Sequence, residues 1–112
     1  MTDSFLLDSA QLAEGQFKET CAQGPDGPLF LVLTRQAGEP KAWHNVCPHQ
    51  GRALNFAPDR FLTDDQGHLV CAHHGATFDC RSGQCVSGPC QGDALTAVNL
   101  VERADKIWLT TD

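Results

Sequence analysis

The sequence predicts an all-β domain built from small antiparallel sheets. Roughly ten short apolar segments are separated by turn residues, and almost none of them has the 3.6-residue period of an amphipathic helix. No internal repeat, low-complexity stretch or Pro/Gly/Ser linker divides the 112 residues, which suffice for one hydrophobic core. We therefore expect a single domain over residues 1–112.

The first four predicted strands are bounded by turn residues. A short apolar segment near the N-terminus precedes Asp8 and Ser9, either of which can cap a helical turn over residues 8–12. Two longer aliphatic segments flank the stretch 23–28, whose Gly and Pro residues are expected to prevent regular structure. The predicted strands are residues 5–7, 16–20, 29–35 and 41–46.

Three antiparallel turns are predicted in the second half of the chain. Gly67 and Gly83 end short polar stretches, and a glycine there can take the positive φ of a tight hairpin turn. Arg103-Ala104-Asp105 is the last turn. The predicted strands are residues 61–63, 68–70, 76–80, 84–86, 95–102 and 106–110.

The acidic balance of the chain argues against two classes of partner. Asp and Glu total 14 against 8 Lys and Arg, a net charge of −6, so neither nucleic acid nor an anionic membrane is expected to bind. The first 16 residues lack the features of a secretory signal, and the longest aliphatic run, 29–33, is too short to span a bilayer. We expect a soluble, cytoplasmic monomer whose six Cys are thiols or metal ligands and not a disulfide framework.

Two short segments each offer one thiol and one imidazole. They are Cys47-Pro48-His49 and Cys71-Ala72-His73-His74, and the 21 residues 50–70 separate them. Two soft sulfur ligands and two borderline nitrogen ligands make a four-point metal site. The C-x-x-H spacing and the Gly75 that follows favour His74 over His73 as the second imidazole ligand.

The pattern C-x-H followed by C-x-x-H resembles the Rieske family of [2Fe–2S] proteins. Three further matches are Asn45, two residues before the first Cys, Gly75, which follows the second His, and the pair Phe78-Asp79 in the following strand. Ser87-Gly88-Pro89 also resembles a loop that covers the cluster in that family. The resemblance is strongest over residues 41–92. It implies a base domain of antiparallel sheets with an inserted cluster-binding subdomain over about residues 44–95.

The resemblance also implies the cofactor and the function. One [2Fe–2S] cluster is bound with both Cys on one iron and both His on the other. Such a chain has no catalytic residues of its own and carries single electrons from a reductase to an oxygenase, docking transiently at the cluster tip. The implied ligands are Cys47, His49, Cys71 and His74, and the implied surroundings are Pro48, Gln50, Gly51, His73, Gly75, Ala76, Gly88 and Pro89.

Three positions depart from the high-potential members of the resembled family. Arg52 and His73 stand where those members have two Cys that form a disulfide between the ligand loops. Ala76 replaces a Ser whose hydroxyl donates to the cluster, and the chain contains no Tyr. Fewer hydrogen bonds to sulfur stabilise the added electron less, so the potential is expected toward the end of the range near about −150 mV.

Two alternative functions remain open at this point. The chain could be a small subunit or accessory domain of a larger oxidoreductase, such as assimilatory nitrite reductase. It could instead be a structural zinc module, although zinc sites usually pair Cys with Cys and His with His.

Cys80, Cys85 and Cys90 recur at intervals of five residues. They lack a fourth ligand and a C-x-x-C pair, so we expect them to pack as small apolar residues.

Overall fold

The structure, a computed structural model, describes residues 3–24, 27–47, 53–71, 75–88 and 92–110. In these ranges the chain forms three antiparallel sheets and no α-helix, which confirms the all-β prediction. No helix there has the length and apolarity needed to cross a membrane. The strands are β1 (Asp3–Asp8), β2 (Phe17–Gly24), β3 (Gly27–Gln36), β4 (Glu39–His44), β5 (Leu62–Thr63), β6 (Leu69–Val70), β7 (Thr77–Phe78), β8 (Cys85–Ser87), β9 (Ala97–Val98), β10 (Leu100–Arg103) and β11 (Lys106–Thr110).

The sheet formed by β2, β3, β4 and β9 lies at the centre of the fold. Its strand β3 pairs with β2 on one side and with β4 on the other. Four consecutive β3 residues, 31–34, are 0% exposed. Because successive side chains of a strand point to opposite faces, burial of four in a row means that both faces of this sheet are covered.

One face of the central sheet packs against the sheet formed by β1, β11 and β10. Leu31 and Leu33 of β3 join Ala42 of β4 in one apolar core. Ile107 and Leu109 of β11 complete that core from the opposite sheet. This pair of sheets forms the base of the molecule.

The other face of the central sheet packs against the small sheet formed by β5, β6, β7 and β8. Val32 and Trp43 share a second core with Leu69 and Phe78. Gly83, in the turn between β7 and β8, has a φ of +77°, and a Cβ atom there would lie 2.5 Å from Trp43 Nε1. The turn therefore needs glycine both for its backbone angle and for the close approach of the indole.

Arg35 ties the N-terminal turn to both sheets of the base. Its Nε donates to the carbonyl of Leu12 at 2.8 Å, and its Nη2 lies 2.7 Å from Glu102 Oε2 on β10. The ion pair with Glu102 raises the pKa of the Arg35 guanidinium. The predicted helical turn is confirmed as a 3-10 turn over Ser9–Gln11.

Two predicted elements differ from the structure. The described residues of the stretch predicted as an irregular loop, 23–28, belong to strands, because β2 and β3 stay paired through Gln23 with Pro28 and Gly24 with Gly27. Pro28 is tolerated there since β3 pairs with β4 only from Leu31 onward and has one neighbour at this point.

The segment predicted as one strand over 95–102 is two strands in different sheets. Ala97 pairs with Trp43 in the central sheet, whereas Leu100 pairs with Leu109 in the base sheet. Asn99 is the crossing point between them. Hydrophobic periodicity cannot detect this crossing because both halves are extended.

The predicted hairpin over residues 61–70 is confirmed as β5 and β6. Leu69 of β6 pairs with Phe78 of β7, so the hairpin is part of a four-stranded sheet. Leu69 is 1% exposed. The four strands lie inside the predicted cluster-binding subdomain, 44–95, whose boundaries stay a prediction.

Candidate metal centre

The first Cys-containing segment leaves the end of β4. Asn45 N donates to the carbonyl of Phe30 at 2.8 Å and thereby extends the pairing of β3 with β4 by one residue. Val46 N donates back to the carbonyl of His44 at 2.8 Å, which turns the chain away from the sheet. Cys47 follows and is 2% exposed, while Val46 remains 44% exposed.

The Asn45 side chain closes the base of this segment. Its Oδ1 accepts from Leu54 N and its Nδ2 donates to Asn55 Oδ1, each at 2.8 Å. Asn45 is 5% exposed and Leu54 is 0% exposed, so the two groups meet away from water. An unpaired buried amide costs about 1–3 kcal/mol, so this contact strongly favours one position of the returning chain.

Asn55 links the Asn45 side chain to β2. Its Nδ2 donates to Glu19 Oε2 at 3.2 Å and to the carbonyl of Ala57 at 3.0 Å. Glu19 and Asp59 then bond reciprocally, backbone N–H to carboxylate, at 2.9 Å in both directions. Asp59 has a φ of +59°, a conformation that these contacts help to hold.

The second Cys-containing segment is closed by its own backbone. Cys71 N donates to the carbonyl of Ala76 at 2.7 Å, and Gly75 N donates to the carbonyl of Cys71 at 3.1 Å. Gly75 has a φ of +74°, a conformation that favours glycine. These bonds hold Cys71, at the end of β6, close to Gly75 and Ala76, which precede β7, and both Cys71 and Ala76 lie in the core.

The two Cys converge on one apolar core. Cys47 and Cys71 are both 2% exposed and belong to the same cluster of buried residues as Leu54, Ala76 and Phe78. Neither is in a disulfide. Two buried sulfur donors without a covalent bond between them suit a metal ion or cluster that is shielded from water.

A glycine loop packs against the second segment. Gly88 has a φ of +96°, and a Cβ atom there would lie 2.9 Å from Ala76 Cα and 3.2 Å from the Gly75 carbonyl oxygen. Gly88 therefore lies directly against the backbone of Gly75 and Ala76.

Two carboxylates fix the turns of the small sheet. Asp79 Oδ1 accepts from Arg81 N at 2.7 Å and Ser82 N at 3.0 Å, and these bonds lower the pKa of the Asp79 carboxyl. Asp64 Oδ1 accepts from His68 N at 2.9 Å, which lowers the pKa of the Asp64 carboxyl. The bond between His68 N and Asp64 therefore stabilises the hairpin turn between β5 and β6.

The expectation that all six Cys are thiols or metal ligands is wrong for Cys85, which forms a disulfide bond. The expectation rested on the inferred compartment, which carries no information on which Sγ atoms meet. Cys80 is a buried thiol whose Sγ donates to the carbonyl of Gly67 at 2.9 Å, and burial raises its pKa. Cys90 lies outside the described residues.

Of the twelve residues predicted as ligands or as their surroundings, five lie in the described part of the chain. Cys47 and Cys71 share a core, and Gly75, Ala76 and Gly88 lie together beside the second segment. The sequence did not predict the side-chain contacts of Asn45 with residues 54 and 55, although an Asn two residues before a Cys was the available signal. The residues outside the described ranges are Pro48, His49, Gln50, Gly51, His73, His74 and Pro89.

Comparison with known proteins identifies a family and a fold. A sequence model of the Rieske [2Fe-2S] domain family matches residues 4–102. The oxygenase component of dicamba O-demethylase from Stenotrophomonas maltophilia is 38% identical in an alignment 89 residues long, which covers 70% of this chain and 24% of that protein. The chain spans about a quarter or less of the length of the curated relatives it matches.

Two solved structures have the same fold. The ferredoxin of carbazole 1,9a-dioxygenase from Nocardioides aromaticivorans IC177 superposes with a TM-score of 0.75 at 20% identity and full coverage of both chains. A chain from a complex of reduced oxygenase and oxidized ferredoxin in carbazole 1,9a-dioxygenase superposes with a TM-score of 0.76 at 16% identity, covering 98% of this chain and 94% of that one.

The contact at Gly88 makes a prediction about stability. Gly92 has a φ of +101° and open space around it, so Gly92→Ala should lower the free energy of unfolding by about 1–2 kcal/mol through backbone strain alone. Gly88→Ala should cost that amount plus about 1–3 kcal/mol for the clash with Ala76. Thermal unfolding followed by circular dichroism should show the lower melting temperature for Gly88→Ala, and equal melting temperatures would contradict the contact.

Proposed function

Because the chain belongs to the Rieske [2Fe-2S] domain family, we propose that it is a cytoplasmic, monomeric one-electron carrier between a reductase and an oxygenase. The observation that carries the proposal is the convergence of Cys47 and Cys71 in one buried core, each 2% exposed. A shielded centre next to an exposed protein surface suits electron transfer to a docked partner. No described group is arranged to act on a substrate by itself, so the chain is proposed to act as a component of a larger system.

We propose that Cys47, His49, Cys71 and His74 hold the cluster. The donor set fits, because two thiolates from buried positions and two imidazoles from the same segments match the two-Cys, two-His ligands of a Rieske cluster. When bound, the cluster accepts and releases one electron at a time. The chain contributes buried sulfur donors, the closed loop from Cys71 to Ala76, and a cover that begins at Gly88.

The proposed docking surface lies beside the first Cys. Phe30, Val46 and Phe56 are 59%, 44% and 54% exposed, which is unusual for large apolar side chains. Phe30 and Val46 line a groove of about 380 Å³. Among the described lining residues the one carboxylate is Glu19 and there is no Lys or Arg, so the groove suits an apolar projection flanked by a basic residue.

The proposed partner on this surface is the oxygenase. The solved complex of oxygenase and ferredoxin in carbazole 1,9a-dioxygenase contains a chain of the same fold. Val46 is joined covalently to Cys47, so a partner seated against Val46 lies one residue from a proposed cluster ligand. The reductase is proposed to use the same end of the molecule in turn, because transient docking allows one surface to serve both partners.

The two alternative functions are less favoured. The relatives and structures described above are components of oxygenase systems, and none of them is a nitrite reductase subunit. Membership of a [2Fe-2S] family argues against a structural zinc module.

The carrier function is tested by reconstitution. The protein should contain iron and acid-labile sulfide in equal amounts and give a Rieske-type EPR signal when reduced. With a reductase and an oxygenase encoded near its gene, oxygenase turnover should depend on the concentration of this chain. Zinc without sulfide, or turnover that is the same without the chain, would refute the proposal.

The midpoint potential is predicted at the low end of the Rieske range. Ala76 offers no hydroxyl, and the neighbouring Thr77 Oγ1 already donates to the carbonyl of Gly75 at 3.1 Å. Redox titration should therefore place the midpoint toward about −150 mV. Ala76→Ser should raise the midpoint, while Ala53→Ser, at an exposed position of the first segment, should leave it unchanged; a wild-type midpoint well above zero would contradict the prediction.

The docking surface predicts different effects for two exposed phenylalanines. Phe30→Ala should raise the apparent KM of the oxygenase for this chain about five- to thirtyfold, the loss expected for an interface anchor. Phe5→Ala is the matched control, because Phe5 is 48% exposed but lies on the base sheet beside Trp108. Midpoint potentials should not change, and equal KM values for both variants would place docking elsewhere.

A further inference from the structure

We propose that Asn45 is a positioning residue that fixes the Cys47 segment relative to the Cys71 segment and so sets the electronic properties of the bound cluster. The proposal rests on the ligand assignment in the proposed function. It adds a role for a side chain that is not itself a ligand.

The orientation of the Asn45 amide is determined by its partners. Leu54 N can only donate, so the Asn45 atom that lies 2.8 Å from it must be the acceptor Oδ1. Nδ2 is then directed to Asn55 Oδ1, also at 2.8 Å. Neither an aspartate nor a shorter hydroxyl residue supplies a donor and an acceptor at these two places.

These bonds bracket the segment that contains Cys47. Asn45 precedes the first Cys by two residues, and its partners Leu54 and Asn55 lie where the chain returns from that segment. The start and the return of the segment are therefore joined directly. Without this connection the return is still bonded to β2 through Asn55 and Glu19, but it is no longer joined to the start of the segment.

The connection reaches both the core and the central sheet. Leu54 is 0% exposed and belongs to the same buried cluster as Cys47 and Cys71. Asn45 itself is continuous with β4 and is bonded through its backbone to Phe30 of β3. A change at Asn45 is therefore expected to move the first Cys against the second, whose own loop is closed by the separate bonds of Cys71, Gly75 and Ala76.

A change at Asn45 affects the cluster because the second Cys-containing segment stays in place while the first one moves. If one pair of ligands shifts while the other stays in place, the coordination geometry changes, and with it the EPR g values and the midpoint potential. A residue that only stabilised the fold would lower the melting temperature and leave the g values unchanged. The two roles are therefore distinguishable in the same protein.

The test compares three variants of the full chain in the cluster-loaded form. Asn45→Ala removes both bonds of the Asn45 amide. Asn55→Ala removes the outer bond, together with the bonds of Asn55 Nδ2 to Glu19 and to the Ala57 carbonyl, while Leu54 N keeps its acceptor. Thr34→Val is the matched control, because Thr34 is a buried polar residue of β3 that accepts from Gln36 Nε2 at 3.0 Å and makes no described bond to either Cys segment.

Asn45→Ala should shift the EPR g values and the midpoint potential and lose its cluster to a chelator about 10- to 100-fold faster than wild type. Asn55→Ala should show the same changes at smaller size, which keeps the test valid if Asn45→Ala does not fold. Thr34→Val should lower the melting temperature with wild-type g values. Wild-type g values and potential in both Asn variants would overturn the proposal.

No redox partner is present in this experiment. A protein with a normal cluster that fails to support an oxygenase would contradict the carrier function and leave the Asn45 result intact. A protein without a [2Fe–2S] cluster would overturn both the ligand assignment and the role of Asn45.

Discussion

Burial of β3 on both faces is the constraint on which the rest of the molecule depends. Val32 and Leu33 are adjacent and both are 0% exposed, yet they belong to different cores. Alternation along the strand sends Leu33 to the base sheet and Val32 to the small sheet. A shift of one residue in the pairing of β3 would exchange these faces and disrupt both cores at once, so the register is strongly specified.

The two Cys segments are held by different means because they differ in length. The second segment is short, and backbone bonds across Cys71, Gly75 and Ala76 close it locally. In the first segment the next described core residue after Cys47 is Leu54, and the Asn45 side chain joins this return to the start of the segment. Asn45 does this from the end of a strand whose position is already fixed by the central sheet.

Local features were therefore predictable from the sequence, and connections between distant residues were not. The hairpin at Gly67, the turn at Gly83 and the positive φ of Gly75 follow from the residue type and its neighbours. The pairing of β2 with β3 through Pro28 depends on which neighbours β3 has at that point, which no local pattern contains.

The candidate site shows the same contrast between features that could be predicted and contacts that could not. The convergence of Cys47 and Cys71 in one core was predictable from their spacing, because ligand chemistry restricts the residue types, and their role as ligands stays a proposal. The contact of Asn45 with Leu54 was not, because amide side chains pair with whatever backbone the fold brings to them. The disulfide of Cys85 was missed for a related reason, since it depends on the approach of two Sγ atoms and not on composition.

The distribution of polar and apolar groups around the proposed docking groove suits a carrier that must leave its partner after each electron. Phe30 and Val46 offer a small apolar contact, and electron-transfer complexes are typically at the low end of interface areas. A larger apolar patch would slow dissociation, because affinity differences between related complexes lie mostly in the dissociation rate. The net charge of −6 instead accelerates the encounter with a basic partner, so fast association and fast release are compatible in one small surface.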